Sequence, residues 1–236
     1  MLHRLRLVHA IHRRTYGRPR LHRALQHDGI RIGEKRVRRL MRMAGLTAVG
    51  RRTFRVTTDS AHAWPVAGNH LQRRFGPARP HERWAADITA LPTRVGWCYL
   101  AVVLDLGSRR VVGWAVRSSL ETELVLAALH TALGSRPAPA LHHSDRGVHY
   151  SCAAYLERLS HHGLRPSLSR LGDCWDNAVV ESFFHSLKIE WLAEAQHRNR
   201  REAKQAVFEY IEVWYNRQRR HSSLGYLSPA EYERRL

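Results

Sequence analysis

The chain has few cysteines, few lysines and no long hydrophobic run. Its three cysteines are far apart and lack Cys-x-x-Cys spacing, so the sequence supports neither a disulfide framework nor a cysteine zinc site. The apolar run from Tyr99 to Leu104 is among the longest, and it is far too short to span a bilayer. Arginines interrupt the N-terminus at once, which excludes the apolar core of a signal peptide. We therefore expect a cytoplasmic protein with no membrane partner.

Basic residues outnumber acidic ones by 39 to 20, and only three of the basic residues are lysine. The planar guanidinium of arginine suits bidentate contact with phosphate, although GC-rich coding would produce the same excess. Residues 1–60 hold 16 Lys and Arg against three acidic residues, whereas residues 80–190 hold 11 of each sign. A basic arm beside a neutral central block is typical of a protein that binds a polyanion.

Residues 1–48 predict three short helices in a helix-turn-helix-like DNA-binding segment. The third helix, at about 34–44, carries Val37, Leu40 and Met41 at i, i+3 and i+4 on its inward side. Its other face has a cationic stripe at helical spacing, made of Lys35, Arg38, Arg39 and Arg42. A three-helix unit whose last helix is basic is the pattern that inserts a helix into the major groove of DNA. A solvated basic helix in an ordinary bundle is the alternative.

Residues 81–195 predict an α/β domain, which follows a linker containing proline and glycine at 49–80. Periodicity predicts strands at 84–91, 97–105, 110–116, 140–144 and 164–169, and helices at 119–133, 151–162 and 177–192. Three successive strands followed by alternating helices and strands indicate a mixed sheet flanked by helices. Residues 196–236 are predicted to add an amphipathic helix at 201–216 and a basic tail.

One acidic residue lies near the end of each of three separate segments. Asp87 is in the first predicted strand, Asp145 follows the fourth, and Glu181 is near the start of the helix at 177–192, with 35 residues between the last two acids. In such a sheet the first and fourth strands are neighbours, and a helix packed across them brings Glu181 to the two aspartates. Mg²⁺ prefers oxygen ligands of this kind, and two ions about 3.5–4 Å apart clamp the attacking and leaving oxygens of a phosphoryl transfer. Taken singly, each acid is also explained as a turn, cap or surface residue.

Other polar residues near these acids have structural interpretations. Asp176 is predicted to be the N-cap of the helix, Asn177 to orient or cap its start, and Asp105 to be a turn residue rather than a fourth catalytic acid. Lys188 follows Glu181 by two helical turns, where it either grips DNA or is solvated. His142, His143 and His149 surround Asp145; packing or solvation is the favoured interpretation, and contact of one ring with substrate phosphate is the alternative. Trp97 and Trp114, on adjacent predicted strands, are expected to pack in the core or on a face of the sheet.

Specific motifs extend along nearly the whole chain. In the central block they are Trp84-x-x-Asp87-Ile88-Thr89, Trp97 to Asp105, Ser108 to Trp114, His143 to Gly147, Asp176 to Phe184 and Leu187-Lys188-x-Glu190. Towards the ends they are Thr15 to Arg20, Arg36 to Met41, Trp214 to Asn216, Arg220 to Tyr226 and Ser228 to Ala230. Together these motifs resemble insertion-sequence transposases with a retroviral-integrase core, and most closely the second-reading-frame product of the IS-three type.

The resemblance implies an RNase H-like fold with an Asp-Asp-Glu catalytic triad at Asp87, Asp145 and Glu181. It implies a DNA transposase that uses Mg²⁺ or Mn²⁺, with two ions in the DNA-bound state. Such an enzyme hydrolyses a phosphodiester at an element end and joins the freed 3′-OH to a target strand. The alternatives are a non-catalytic or decayed copy that only binds DNA as a repressor would, and an RNase H-type nuclease without joining activity.

The resemblance also implies partners. They are double-stranded DNA, at element ends and at the target, and further copies of the chain assembled on that DNA. An upstream-frame protein is a further expected partner, because the chain begins close to the helix-turn-helix segment and lacks a leucine zipper. The expected location is the bacterial nucleoid.

Overall fold

The structure is a computed structural model that describes residues 1–49, 67–76, 79–170, 173–192 and 197–236. The chain divides into two compact units, one of Met1–Thr53 with Leu187–Ala193 and one of Phe54–Ser186 with Glu194–Leu236. The domain boundaries expected at 48, 80 and 195 stay predictions. Among the helices of the described residues, none is both long and apolar enough to cross a membrane.

The first unit contains the three short helices that the sequence predicts. They are α1 (Leu2–Ile11), α2 (Arg18–His27) and α3 (Glu34–Met43). Their apolar faces form a small core of Leu5, Leu21, Leu25 and Val37. A segment of π-helix, Lys188–Leu192, belongs to the same unit. It is held there by the guanidinium of Arg13, 3.7 Å above the ring of Trp191, and by an ion pair of 3.5 Å between Arg20 and Glu190.

The second unit is built on a five-stranded sheet in the order β3-β2-β1-β4-β5. The strands are β1 (Arg83–Thr93), β2 (Gly96–Asp105), β3 (Val111–Arg117), β4 (Leu141–Ser144) and β5 (Arg165–Leu168). β1, β2 and β3 pair antiparallel, whereas β4 is parallel to both β1 and β5. The predicted mixed sheet is therefore confirmed, with β1 at its centre and β4 as its neighbour.

The helices of the second unit follow the predicted order with three differences in detail. They are α4 (Thr122–Ser135), α5 (Val148–Ser151), α6 (Ala153–His161), a 3₁₀ turn at Cys174–Asn177, α7 (Ala178–Leu187), α8 (Arg200–Phe208) and α9 (Pro229–Glu233). The short helix α5 was not predicted. The single helices expected at 177–192 and 201–216 each change to π-helix, the second one over Glu209–Tyr215.

Helix α4 packs on the sheet at a glycine of β3. A Cβ atom added to Gly113 would lie 2.2 Å from the carbonyl oxygen of Ala128 and 2.7 Å from the Cβ of Ala132. The two alanines and the glycine thus allow helix and strand to approach closely. Leu124, Leu129 and the inward side chains of β2 fill the rest of this core.

The C-terminal segment is anchored on the outer strand β3. The side-chain amide of Asn216 accepts from the backbone N–H of Val111 and donates to its carbonyl oxygen, both at 3.0 Å. The ring of Trp114 packs against that of Phe208, with centroids 6.4 Å apart, so its predicted role in packing is confirmed, and its indole donates to Glu212 at 2.9 Å. The same prediction for Trp97 is wrong, because this side chain, near the start of β2, is 55% exposed.

Candidate active site

The register of the two central strands brings Asp87 beside Asp145. Ala86 of β1 pairs with Ser144, the last residue of β4, and the two aspartates are the next residues on these parallel strands. Both side chains are half-buried. Asp87 accepts from the backbone N–H of Ile88 at 2.7 Å, and Asp145 accepts from that of Gly147 at 2.9 Å. Local backbone bonds therefore orient one oxygen of each carboxylate.

Glu181 is half-buried on α7 and interacts electrostatically with Asp145. Burial raises the pKa of Glu181, and the negative charge of Asp145 raises it further. The buried hydroxyl of Tyr150 interacts electrostatically with both aspartates. Burial is the largest cause of its raised pKa, and the charges of Tyr155, Asp87 and Asp145 raise the pKa further. The region is thus one of concentrated negative charge. Sequence reasoning did not identify Tyr150, which no spacing rule links to the acids.

The 3₁₀ turn before α7 differs from its prediction. Asp173, not Asp176, is the residue whose side chain caps the turn, by accepting from the N–H of Trp175. Asp176 lies inside the turn, fully buried, where its carboxylate accepts from Arg73 and Arg170. The predicted N-cap is therefore wrong, because two guanidinium groups bind this carboxylate more strongly than a helix N–H would. Their bonds hold the pKa of Asp176 well below its usual range.

Asn177, the next residue, has a structural role that sequence reasoning predicted in part. Its Nδ2 atom donates to the carbonyl oxygen of Ala86 at 3.1 Å, immediately before Asp87 in β1. The bond joins the turn to the central strand rather than capping the helix. Two consecutive polar residues before an apolar helix were the only local signal of this turn.

Three further polar residues have the structural roles expected of them. Asp105 accepts from the N–H and the hydroxyl of Ser108, as predicted for a turn residue. Burial lowers the pKa of His142 to about 3 and that of His143 to about 4, so both rings are neutral. His142 bonds the hydroxyl of Tyr155, and His143 bonds that of Ser167. The packing interpretation of both histidines is confirmed, and His149 is half-exposed.

The side chains of the site are of the type that binds a divalent cation, although the described residues do not form a metal-binding cluster. Among the described residues, no three His, Cys, Asp or Glu side chains lie together closely enough to hold a metal ion. The donors are nevertheless carboxylate oxygens, which Mg²⁺ prefers. The repulsion between Asp145 and Glu181 is one that a cation would relieve. Asn177 Oδ1 is, moreover, a buried acceptor with no partner in the described part of the chain.

The cationic residues expected to contact DNA lie in the first unit. The stripe on α3 is exposed, while Val37 and Met41 on the same helix are buried, as the amphipathic pattern predicts. Arg38 and Arg42 line an open cleft of about 550 Å³, together with Arg18, Met41, Leu46 and Thr47. Lys188 is half-buried at the start of the π-helix, in this unit rather than in the one that holds Glu181.

Comparison with known families accounts for most of the chain. Residues 1–54 match an HTH-like domain, and residues 77–174 and 162–229 match two models of the integrase core domain. An uncharacterized 31 kDa protein of insertion element IS600 from Shigella sonnei is 43% identical over 97% of this chain and 85% of its own length. Transposase InsF for insertion sequence IS3A from Escherichia coli K12 is 44% identical over 94% of this chain and 77% of its own.

Solved structures show the same fold at low identity. A simian T-cell lymphotropic virus intasome matches with a TM-score of 0.56 and 14% identity, over 89% of this chain and 69% of that one. The HTLV-2 integrase catalytic core domain, in complex with magnesium, matches with a TM-score of 0.50 and 14% identity, over 65% and 97%. These likenesses confirm the RNase H-like fold. The relatives and the family matches show that the chain belongs to the IS3 family of insertion-sequence transposases, with an HTH-like domain and an integrase core.

Proposed function

We propose that this transposase cleaves phosphodiesters at its element ends and then performs 3′-OH strand transfer, with Asp87, Asp145 and Glu181 as its catalytic carboxylates. The observation that carries the proposal is the pairing of Ala86 with Ser144, which sets the two aspartates side by side, together with the charge interaction between Asp145 and Glu181. The three carboxylates would hold Mg²⁺ or Mn²⁺. Two such ions, bound with DNA, would neutralise the phosphodiester and generate hydroxide from water.

The protein's own groups orient the reactants rather than attack them. His142 and His143 are buried and neutral, and Tyr150 keeps its proton because burial raises its pKa. None of these three side chains is therefore a charged nucleophile at neutral pH. The carboxylates act by position and by electrostatics, which are the main requirements of phosphoryl transfer.

The triad is tested by neutralising each acid without changing its shape. We expect Asp87→Asn, Asp145→Asn and Glu181→Gln to lower both cleavage and joining of end-like DNA by about 100-fold or more. Glu157→Gln, on the exposed side of α6, removes the same charge and serves as the matched control. Parent-like activity of Asp145→Asn would contradict the assignment, and cleavage without joining in the parent would favour the nuclease alternative.

We also propose that the cationic residues of the first unit contact DNA phosphates. These residues are Lys35, Arg38, Arg39, Arg42 and Lys188. Each phosphate contact that is lost should reduce the slope of log affinity against log salt by about 0.9. The double variant of Arg38 and Arg42 to alanine should therefore flatten the slope by about 2, whereas Arg158→Ala, on α6, should not. An unchanged slope in the double variant would exclude α3 as a contact surface.

The active assembly is proposed to contain several copies of the chain on DNA in the bacterial nucleoid, with an upstream-frame protein. Co-expression with that protein and detection of excised element circles tests this requirement. We expect circles only when both reading frames are present. Circles produced by this chain alone would show that the partner is not needed.

A further inference from the structure

The 3₁₀ turn Cys174–Asn177 joins the start of α7 to the central strand. Asn177 is only 4% exposed, and its Nδ2 atom donates to the carbonyl oxygen of Ala86 at 3.1 Å. The parallel ladder between β1 and β4 ends at the pair of Ala86 and Ser144. The next residue of β1 is Asp87. The amide of Asn177 therefore fixes the start of α7 at the peptide beside one of the proposed catalytic carboxylates.

The same turn is held by a second set of bonds through Asp176. Its carboxylate accepts from Asn69 Nδ2 at 2.7 Å and from Arg73 Nε at 2.9 Å, both of which precede β1. It also accepts from the backbone N–H, Nε and Nη2 atoms of Arg170, which follows β5. Because three separate segments converge on this turn, the position of Asn177 is fixed independently of α7.

We propose that Asn177 is a positioning residue of the active site, which holds α7 so that Glu181 stays close to Asp87 and Asp145. This inference rests on the proposed function. Glu181 follows Asn177 by four residues, about one helical turn, so a shift of the anchor moves the carboxylate directly.

An anchor is needed because Asp145 and Glu181 are both carboxylates, and like charges held close together repel one another. Without a fixed start, α7 would move so that the two carboxylates lie farther apart. A divalent cation would then have to bring them together again, which would weaken its binding. The bond to Ala86 opposes that relaxation. It also fixes the orientation of the amide, since only the NH₂ group can donate to a carbonyl oxygen.

The chain contains a matched control in Asn216. This asparagine is 1% exposed and also bonds the backbone of a strand, at Val111 of β3, with two bonds of 3.0 Å. It anchors the C-terminal segment instead of α7. If Asn177 is only a structural residue, Asn177→Ala and Asn216→Ala should both lower the melting temperature and leave cation binding unchanged.

The test measures Mn²⁺ binding to the full chain by water-proton relaxation, besides the melting temperature and the single-turnover cleavage rate at saturating DNA. We expect Asn177→Ala to weaken Mn²⁺ binding by about 10–100-fold, the range found for residues that orient metal ligands. Its DNA affinity should stay unchanged while its cleavage rate falls. Asn216→Ala should lose stability with unchanged Mn²⁺ affinity. Equal Mn²⁺ affinities of the two variants would overturn the proposal.

Further variants keep the test decisive. Asn177→Ser and Asn216→Ser form the same comparison if the alanine variants do not fold. In the Glu181→Gln background, Asn177→Ala should have no further effect on Mn²⁺ affinity, because a residue that acts through Glu181 cannot act once that carboxylate is gone. An additive loss would overturn the proposal. If Asp145→Asn leaves Mn²⁺ binding intact, the proposed function itself fails. If Asp145→Asn abolishes Mn²⁺ binding but Asn177→Ala does not weaken Mn²⁺ binding, only the positioning role fails.

Discussion

Replacing Asp176 by alanine removes the acceptor at the centre of the turn before α7. The carboxylate is fully buried and accepts from Asn69, Arg73 and Arg170. The hydrogen bond from Arg170 is the largest cause of its lowered pKa, ahead of the bonds from the backbone and from Arg73. The substitution therefore removes the group that joins three chain segments at the active-site helix.

The expected loss follows from the exposure of the two arginines. Breaking a fully buried ion pair costs about 3–5 kcal/mol, and a hydrogen bond to a charged group contributes about 1.5–3 kcal/mol. The side chains of Arg73 and Arg170 are 44% and 56% exposed, so water re-hydrates both guanidinium groups once the carboxylate is gone. The loss should therefore be smaller than the cost of breaking a fully buried ion pair. We expect the free energy of unfolding to fall by about 2–3 kcal/mol, and Tm to fall by about 4–12 °C.

Urea unfolding followed by tryptophan fluorescence measures this loss, and Asp173→Ala is the control. Asp173 pairs with the same two arginines, but its side chain is 21% exposed, so we expect a loss of no more than about 1 kcal/mol. Because the pKa of Asp176 is lowered in the folded state, its contribution is complete above the ordinary aspartate pKa and declines as the pH falls from that value through the lowered folded-state pKa. Equal losses in the two variants, or a loss from Asp176→Ala that does not decline below the ordinary aspartate pKa, would refute the reasoning.

Four other substitutions have expected outcomes that differ in sign or in kind. Gly113→Ala forces a Cβ to within 2.2 Å of a carbonyl oxygen of α4, so we expect the free energy of unfolding measured by denaturation to fall by more than about 3 kcal/mol. Gly134→Ala, on α4 itself, places a Cβ in open space, so we expect the free energy of unfolding to rise by about 0.5–1 kcal/mol. Glu181→Gln should stabilise the cation-free protein at neutral pH but not in acid. The pKa of Glu181 is raised in the folded state, so the parent protein loses stability as the pH rises and this carboxylate ionises. Thermal unfolding at both pH values measures the difference. Gly147→Ala would bring a Cβ to 2.9 Å from Asp145 Oδ1, so we expect calorimetry to show weaker Mn²⁺ binding while Tm changes little.

The sheet and most helices could be predicted because their signals are local. β2 is a nearly continuous apolar run that ends at the turn of Asp105, and α3 buries Val37 and Met41, at i and i+4, while Leu40 at i+3 is half-buried. The side-by-side placement of Asp87 and Asp145 also followed, since it requires only that the first and fourth strands be parallel neighbours. The prediction for Glu181 also required a helix packed across these strands, and the hydrogen bond from Asn177 to Ala86 joins the start of that helix to β1.

The errors have different causes. Asp176 satisfies every local criterion for an N-cap, yet Arg73, 103 residues away, is among the groups that bind it. Trp97 lies in an apolar run, but its position near the start of β2 leaves it exposed. Likewise, the change from α- to π-helix after Phe208 occurs where Tyr210 and Trp214 become buried, and helical periodicity does not encode it. Only for Asp176 is the cause a contact between distant segments.

The proposed active site thus combines repulsive groups with anchors that differ for each carboxylate. Asp87 is held by the central strand of the sheet, and Asp145 by the end of β4 and the N–H of Gly147. Glu181 lies on a helix, which can shift as a body, and burial raises its pKa. The start of that helix is held by additional bonds through Asp176 and Asn177. The physical reason is that strand pairing fixes the backbone beside the two aspartates, whereas a helix needs a fixed origin to bring in the third carboxylate.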